Sequence, residues 1–347
     1  MKSSPSRITR SREITSIAPI DLHFHGAFEI DLMTADEAHL DLLSKKLWDA
    51  GLGGFVATTL TADFSSVKRA VENLGKWIRR GKFPGAIPLG IHLEGPYLSP
   101  KARGAHPENS IRAFSMSEVL ELWNLSQKTL KILTIAPEIL SMADRKHLTQ
   151  WAKKNRVVLS AGHSQASFEV AAQAFADGFS AVTHAFNAMA FHHRDPGILG
   201  AALAAAPKDA SELYLEVIPD GIHLHPATVD WLIQSCPKGT CFVSDCTPAA
   251  GLMAGKVTSF GPLQVQFKDR ASRLADGSLA GGGKPLPETY LNWLSNRADP
   301  GAELKRSLPF LTEIPLRALR LSQAEERAFR KNRQVRWKTA PFSVKPI

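Results

Sequence analysis

Short apolar runs, each closed by a polar or ionisable residue, recur along the first 245 residues of the chain. Ile17–Leu22 leads into His23 and His25, Gly53–Ala57 into Thr58 and Thr59, and Ala86–Leu93 into Glu94. Leu130–Ile135 leads into Ala136-Pro137-Glu138, Arg156–Ala161 into Gly162-His163-Ser164, and Ser180–Thr183 into His184. Leu213–Ile218 leads into Asp220 and Gly239–Ser244 into Asp245, which makes eight candidate strands. The stretches between them mostly repeat with helical period, as in Ala38–Ala50, Ser66–Arg80, Ser117–Gln127, Leu140–Asn155 and Gln165–Asp177. Strand–helix alternation of this length predicts an α/β protein of the (β/α)8 TIM-barrel type. A doubly wound open sheet is the alternative. It more often carries a Gly-rich phosphate loop after its first strand, and this chain has none.

After residue 246 the pattern changes. Residues 247–285 are rich in Gly, Pro and Ala and contain Asp276-Gly277-Ser278-Leu279-Ala280-Gly281-Gly282-Gly283, which reads as a long loop over a site. From 286 to about 331 the helical period returns, and Gln334–Lys338 has the character of a short terminal strand. The expected organisation is a basic tail over 1–13, a catalytic barrel over 14–331 and a basic C-terminal tail over 332–347.

Composition narrows the class. The 347 residues are 44% hydrophobic and 22% charged, enough for a large core and near the globular norm. The net charge of +9 gathers at the ends, in Lys2, Arg7, Arg10 and Arg12 and again in Arg327, Arg330, Lys331, Arg333, Arg336 and Lys338. A basic balance suits an anionic partner, a nucleic acid or a phosphorylated small molecule. No aromatic stacking motif stands beside these ends, so they read as solvated surface and not as a nucleic-acid site. Three cysteines, Cys236, Cys241 and Cys246, are too few and too oddly spaced for a disulfide scaffold or a zinc finger. Residues 1–13 lack an apolar signal segment, and no run is long enough to span a bilayer. The expectation is a cytoplasmic protein without a membrane partner.

The chemistry lies at the strand ends. In Asp21-Leu22-His23-Phe24-His25-Gly26 two histidines sit two residues apart, so on a strand both imidazoles aim at one point. In a (β/α)8 barrel the active groups stand at the C-terminal ends of the strands, where His23, His25, Glu94, His163, His184 and Asp245 all fall. This mixed nitrogen and oxygen set suits Zn, Fe, Mn or Co as the divalent ion. Such an ion lowers the pKa of bound water to about 7. A carboxylate beside it can collect the water proton and pass it on, and Asp245 is the natural candidate. Glu94 fits a ligand better. His92 shares the strand face of Glu94 and reads as a core histidine.

Longer motifs carry a family resemblance. Gly90-Ile91-His92-Leu93-Glu94-Gly95-Pro96-Tyr97-Leu98 with Gly104-Ala105-His106, then Ala136-Pro137-Glu138, Gly162-His163-Ser164 and Thr183-His184-Ala185-Phe186-Asn187-Ala188-Met189, resemble the N-acetylglucosamine-6-phosphate deacetylase family of the amidohydrolase superfamily. Arg194-Asp195-Pro196-Gly197, Asp220-Gly221-Ile222-His223, Ser244-Asp245 and Asp276-Gly277-Ser278-Leu279-Ala280-Gly281 complete the series, in order, from about residue 18 to 283. The resemblance implies that Glu94, His163 and His184 bind one metal. His23 and His25 would help hold a second, giving one or two ions per subunit, and Asp245 would act as base and then acid. It further implies that Ala105, His106, Asn187, Ala188, Arg194 and His223 contact an amino-sugar phosphate. Leu279, Ala280 and Gly281 would line its acetyl group, and a homodimer would place Arg194 at a neighbour's site. Arg194 could instead form a surface ion pair with Asp195. His192, His193 and His225 match no position of the resemblance.

The chain also departs from that pattern. Family members begin with about 50 residues that join the C-terminal end in a small β-sandwich, whereas only 20 residues precede Asp21 here. The small domain is therefore expected to be largely missing. The reaction implied is hydrolysis of N-acetylglucosamine 6-phosphate to glucosamine 6-phosphate and acetate. The alternatives are an amidohydrolase acting on another N-acyl or cyclic amide, and a sugar-phosphate sensor without turnover.

Overall fold

The computed structural model describes residues 13–206 and 212–347. Eight parallel strands form one sheet: β1 (Ile20–Phe24), β2 (Gly54–Thr59), β3 (Ile87–Glu94), β4 (Leu130–Ile135), β5 (Val158–Ala161), β6 (Ala181–Val182), β7 (Tyr214–Val217) and β8 (Thr240–Phe242). Each strand pairs with its sequential neighbour, the order expected for a barrel. The seam between β1 and β8 closes through single bonds. Asp245 N donates to His23 O at 3.0 Å and His25 N to Cys246 O at 2.8 Å. The Asp21 carboxylate accepts from Ser244 N at 3.1 Å and from His23 N at 3.3 Å. The strands that bring His23 and Asp245 to the site are therefore locked at the point where the sheet has its weakest ladder.

The helices form where the period placed them. Phe64–Arg80 is an example: Asp63 caps it by accepting from Ser66 N at 3.0 Å, and Gly81, at φ 73°, ends it in the left-handed region that glycine tolerates. Its buried residues Val67, Ala70, Val71, Leu74 and Trp77 fall at helical spacing and face the barrel. Val67, Val71 and Leu74 each contribute roughly 1.5–3 kcal/mol on burial.

Three regions differ from the sequence reading. The first predicted strand is two. Glu13–Ile17 lies outside the barrel, and Ile20–Phe24 lies within it, divided at Ala18-Pro19. Pro19 has no N–H to give to a ladder, but its carbonyl accepts from Gly53 N and Gly54 N at 2.9 and 3.2 Å, which fixes the entry of the chain into the barrel. Second, the supposed loop 247–285 contains four antiparallel strands, Val257–Phe260, Leu263–Lys268, Ala271–Arg273 and Leu279–Gly282. Phe260 and Val265 are buried, one on each of the first two of these strands, amid a glycine content that suggested a loop.

Third, residues 332–347 are folded, where a basic tail was expected. Gln334–Thr339 and Phe342–Pro346 form a hairpin, and the first of these strands also pairs antiparallel with Glu13–Ile17. The charged residues of Gln334–Thr339 alternate with fully buried Val335 and Trp337. Trp337 Nε1 donates to Ser16 Oγ at 2.9 Å, and its ring meets Tyr290 edge-on at 5.3 Å. A small three-stranded sheet thus joins the two ends of the described chain. The expected tail at 1–13 lies outside the described residues except for Glu13. No helix among the described residues is long and apolar enough to cross a membrane.

Candidate metal centre and active site

The side chains expected to carry chemistry converge at the C-terminal mouth of the barrel. His163, His184 and Asp245 all adopt positive φ, at 47°, 28° and 53°. For residues with a Cβ this costs of order 1–3 kcal/mol each and persists only when neighbours hold it. They do so here. His163 O accepts from Ser99 N at 2.9 Å and its Nδ1 donates to Ala102 O at 2.9 Å. His184 N donates to Glu216 Oε2 at 3.2 Å. Asp245 is held between His23 O and Gly282 N, the latter donating to Asp245 O at 2.7 Å. The turns that leave each strand are bent so that the side chains point inward.

Glu94 stands at the centre. Its Oε1 lies 3.1 Å from His163 Nε2 and 3.1 Å from His184 Nε2, and those two nitrogens are 3.0 Å apart. Its Oε2 lies 3.2 Å from His25 Nε2 and 3.4 Å from His23 Nε2. His23 and His25 bring their Nε2 atoms within 3.1 Å of each other, and Asp245 Oδ1 is 3.4 Å from both. Glu94 thus offers one oxygen to each pair of imidazoles.

The donors fit divalent ions. Two imidazole nitrogens facing each other share at most one proton, so a triangle of two nitrogens and a carboxylate oxygen is poorly satisfied by hydrogen bonds alone. A tetrahedral zinc with bonds of about 2.0–2.1 Å spaces its donors by about 3.3–3.4 Å, close to the separations here. His, Glu and Asp groups at this site meet the spacing needed to hold an ion.

Electrostatics follow from the same contacts. Burial disfavours the imidazolium of His23, but Glu94, Glu216 and Asp245 outweigh it and hold its pKa well above the ordinary value. Burial also opposes ionisation of Asp245, and His23 and His25 override it, holding the carboxyl down at about 2. Asp245 is therefore an anion at neutral pH, as a proton acceptor must be. His106 is pushed down to about 4 by burial and by His163, so it is a neutral hydrogen-bonding group.

A cavity of about 160 Å³ opens onto this cluster. Of the expected residues, His25, Glu94, Ala105, His106, His163, His184, Asn187, Ala188, His223, Asp245, Leu279, Ala280 and Gly281 line it. His23 lies behind, fully buried. His106 sits at the cluster end, its Nε2 3.4 Å from Glu94 Oε2. His223 is paired with Asp220 at 2.7 Å. Gly281, at φ 133°, passes so close to Asp245 that a Cβ there would stand 2.5 Å from the Asp245 carbonyl oxygen. Arg194 does not line the cavity. It is exposed on the bend His192–Asp195, and no Arg194–Asp195 ion pair is present among the described residues. His92 is a buried core histidine, as read from the sequence.

Sequence reasoning missed Glu216, Leu60 and Phe260. Leu60 and Phe260 add apolar wall to the cavity and carry no local signal. Glu216 did carry one: it is a carboxylate in the middle of the apolar run Leu215-Glu216-Val217, and a buried charge in a strand needs a partner.

No protein-family model matches the chain. It is 37% identical over 270 residues to N-acetylglucosamine-6-phosphate deacetylase of Bacillus subtilis, covering 76% of this chain and 65% of that protein. It is 35% identical over 274 residues to N-acetylgalactosamine-6-phosphate deacetylase of Escherichia coli O157:H7, covering 78% of this chain and 70% of that one. Among solved structures, N-acetylglucosamine-6-phosphate deacetylase of Thermotoga maritima superposes with a TM-score of 0.79 at 29% identity, covering 97% of this chain and 87% of that chain. The chain matches only about two thirds of the length of the curated relatives. Motif order, strand-end geometry and these likenesses agree, and the chain belongs to the N-acetylglucosamine-6-phosphate deacetylase family of the amidohydrolase superfamily.

Proposed function

We propose that this protein is a metal-dependent hydrolase that removes the acetyl group of N-acetylglucosamine 6-phosphate, giving glucosamine 6-phosphate and acetate. The observation that carries this reading is Glu94, whose two oxygens each face a pair of imidazoles with Asp245 beside them. Glu94 Oε1, His163 and His184 would hold one divalent ion. Glu94 Oε2, His23 and His25 would hold a second, with Asp245 Oδ1 close by. Bound there, such an ion would lower the pKa of water to about 7 and polarise a carbonyl.

The chain's own residues do the rest. Asp245, ionised and at the cavity wall, accepts the proton of the attacking water as its oxygen bonds to the acetamide carbon. It then gives that proton to the amine nitrogen as the C–N bond breaks, leaving acetate and a free amine. Leu279, Ala280 and Gly281, carried beside Asp245 by the strand Leu279–Gly282, form the wall against the acetyl methyl. His223, whose imidazolium form is favoured by Asp220, faces the anionic part of the substrate.

Arg194 serves the phosphate of a second subunit in this reading. It does not line its own cavity, and Phe191 and Trp231, whose ring centroids lie 6.3 Å apart, are 44% and 43% exposed, an apolar surface suited to a homodimer. The buried, unbridged Cys236, Cys241 and Cys246 suit the reducing cytoplasm, where we place the reaction. The likeness to an N-acetylgalactosamine-6-phosphate deacetylase makes the C4 epimer the competing substrate. Acetate release by metal-loaded protein from each sugar phosphate tests both: release from the glucosamine derivative is expected, and release from neither contradicts the reading.

A further inference from the structure

We propose that Glu216 is a positioning residue for the His23–His25 half of the site. Its carboxylate holds His23 in the tautomer that leaves Nε2 free to bind a divalent ion. The inference rests on the metal-site reading above and extends it to a residue outside the donor set.

The four imidazoles assigned to the ions, those of His23, His25, His163 and His184, are not equally supported. His163 donates from Nδ1 to a backbone carbonyl, Ala102 O, at 2.9 Å. Nδ1 of His25 and Nδ1 of His184 are buried without a hydrogen-bond partner among the described residues. His23 Nδ1 lies 2.9 Å from Glu216 Oε2. Of the four, His23 is thus the one backed by an anion. An imidazole binds an ion only in its neutral form, and because a carboxylate only accepts, that form of His23 keeps its proton on Nδ1 and its lone pair on Nε2. That lone pair faces His25 Nε2 at 3.1 Å, and Glu94 Oε2 and Asp245 Oδ1 at 3.4 Å each.

Glu216 is itself well fixed. It is 2% exposed and sits in β7, and its Oε2 also accepts from His184 N at 3.2 Å, while its main-chain oxygen accepts from Ala185 N at 2.8 Å. One side chain therefore ties the histidine of β1 to the turn that follows β6. His92 does not compete for this role. It packs edge-on against His23 at 4.7 Å, but its Nδ1 is engaged by Leu22 O at 3.2 Å and its Nε2 by Thr134 Oγ1 at 2.7 Å. A carboxylate behind a ligating imidazole orients the ring and raises its basicity, and its loss costs about 10–100-fold in metal affinity.

The test compares wild type, Glu216→Gln and His23→Gln, each dialysed against cobalt, with bound metal counted and the visible absorption of each cobalt equivalent followed on titration. Glu216→Gln keeps the volume and an acceptor oxygen but removes the charge. The expected result is a wild type with two equivalents, a His23→Gln protein with one, and a Glu216→Gln protein whose second equivalent binds about 10–100-fold more weakly while the first is unchanged. Wild-type binding of the second equivalent by Glu216→Gln overturns the proposal, as does a His23→Gln protein that keeps both. A wild type that takes up no cobalt overturns the metal reading itself. Should Glu216→Gln not fold, the proton can be read in wild type: a long-range nitrogen–proton spectrum of zinc-loaded, 15N-histidine protein should place it on His23 Nδ1, and a proton on Nε2 contradicts the proposal.

Discussion

Glu94 Oε1 lies 3.1 Å from His184 Nε2, while the other oxygen of the same carboxylate faces the His23–His25 pair. One residue at the end of β3 therefore serves both halves of the cluster. Glu94→Gln should weaken both ion sites together and not one of them. Metal analysis after dialysis should find well under one equivalent, and turnover should fall by at least about 100-fold, from losing the ion's polarising and orienting roles. A variant that keeps one full equivalent would show that the two halves are independent.

The His223–Asp220 pair gives a pH dependence with a definite sign. Burial opposes the His223 imidazolium, but Asp220 outweighs it and raises the pKa above its ordinary value. The cation therefore persists above the pH at which a free histidine loses it. If His223 meets the substrate's phosphate, KM should be lower below this raised value and rise as pH passes through it. Asp220→Asn should move that rise to lower pH. The same pair stabilises the fold most below about pH 6.5, the unfolded histidine's value, and this contribution is lost as pH climbs through the folded one. At the acid end Asp220, held below its ordinary value, loses its share as pH falls through that lowered pKa. A KM profile identical in wild type and Asp220→Asn would remove His223 from phosphate binding.

Arg194 yields a prediction about assembly. This residue is exposed on its bend and absent from its own cavity wall, and under the proposed dimer it would act on substrate across a subunit boundary. Arg194→Ala should raise KM about tenfold or more, the cost of losing a charged hydrogen bond to phosphate, and leave kcat nearly unchanged. Light scattering should find a dimer for wild type. A monomer with the same KM as the variant would contradict the shared site.

Trp337 tests the three-stranded sheet at the chain ends. It is fully buried against Tyr290 and bonded to Ser16, so Trp337→Ala should destabilise the protein by about 3–5 kcal/mol in denaturant melts. A loss below about 1 kcal/mol, the scale of a surface change, would mean that the sheet contributes little to the fold.

Much of this was legible in the sequence because the barrel writes its chemistry at strand ends. His23, Glu94, His163, His184 and Asp245 each follow an apolar run, so periodicity alone placed them on one mouth, and the structure brings them within hydrogen-bond range. What was not legible depends on contacts between distant segments. Val335 and Trp337 alternate with charges, but the strand they pair with, Glu13–Ile17, is over 300 positions away, and the basic residues hid the pattern. In the 247–285 stretch glycines suggested a loop, whereas strand pairing across Val257–Gly282 organises it into a sheet that delivers Gly281 to Asp245. Glu216 was visible as a charge in an apolar strand, yet only the fold shows that His23 is its partner.

Asp245 is the group on which the proposed proton transfer depends. Metal-loaded wild type and Asp245→Asn should be compared for binding of N-acetylglucosamine 6-phosphate and for acetate released from it. The prediction is sugar-phosphate binding by both proteins, acetate from wild type, and a rate at least about 100-fold lower from the variant, the scale of a lost general acid–base. Acetate released by Asp245→Asn at the wild-type rate would contradict it.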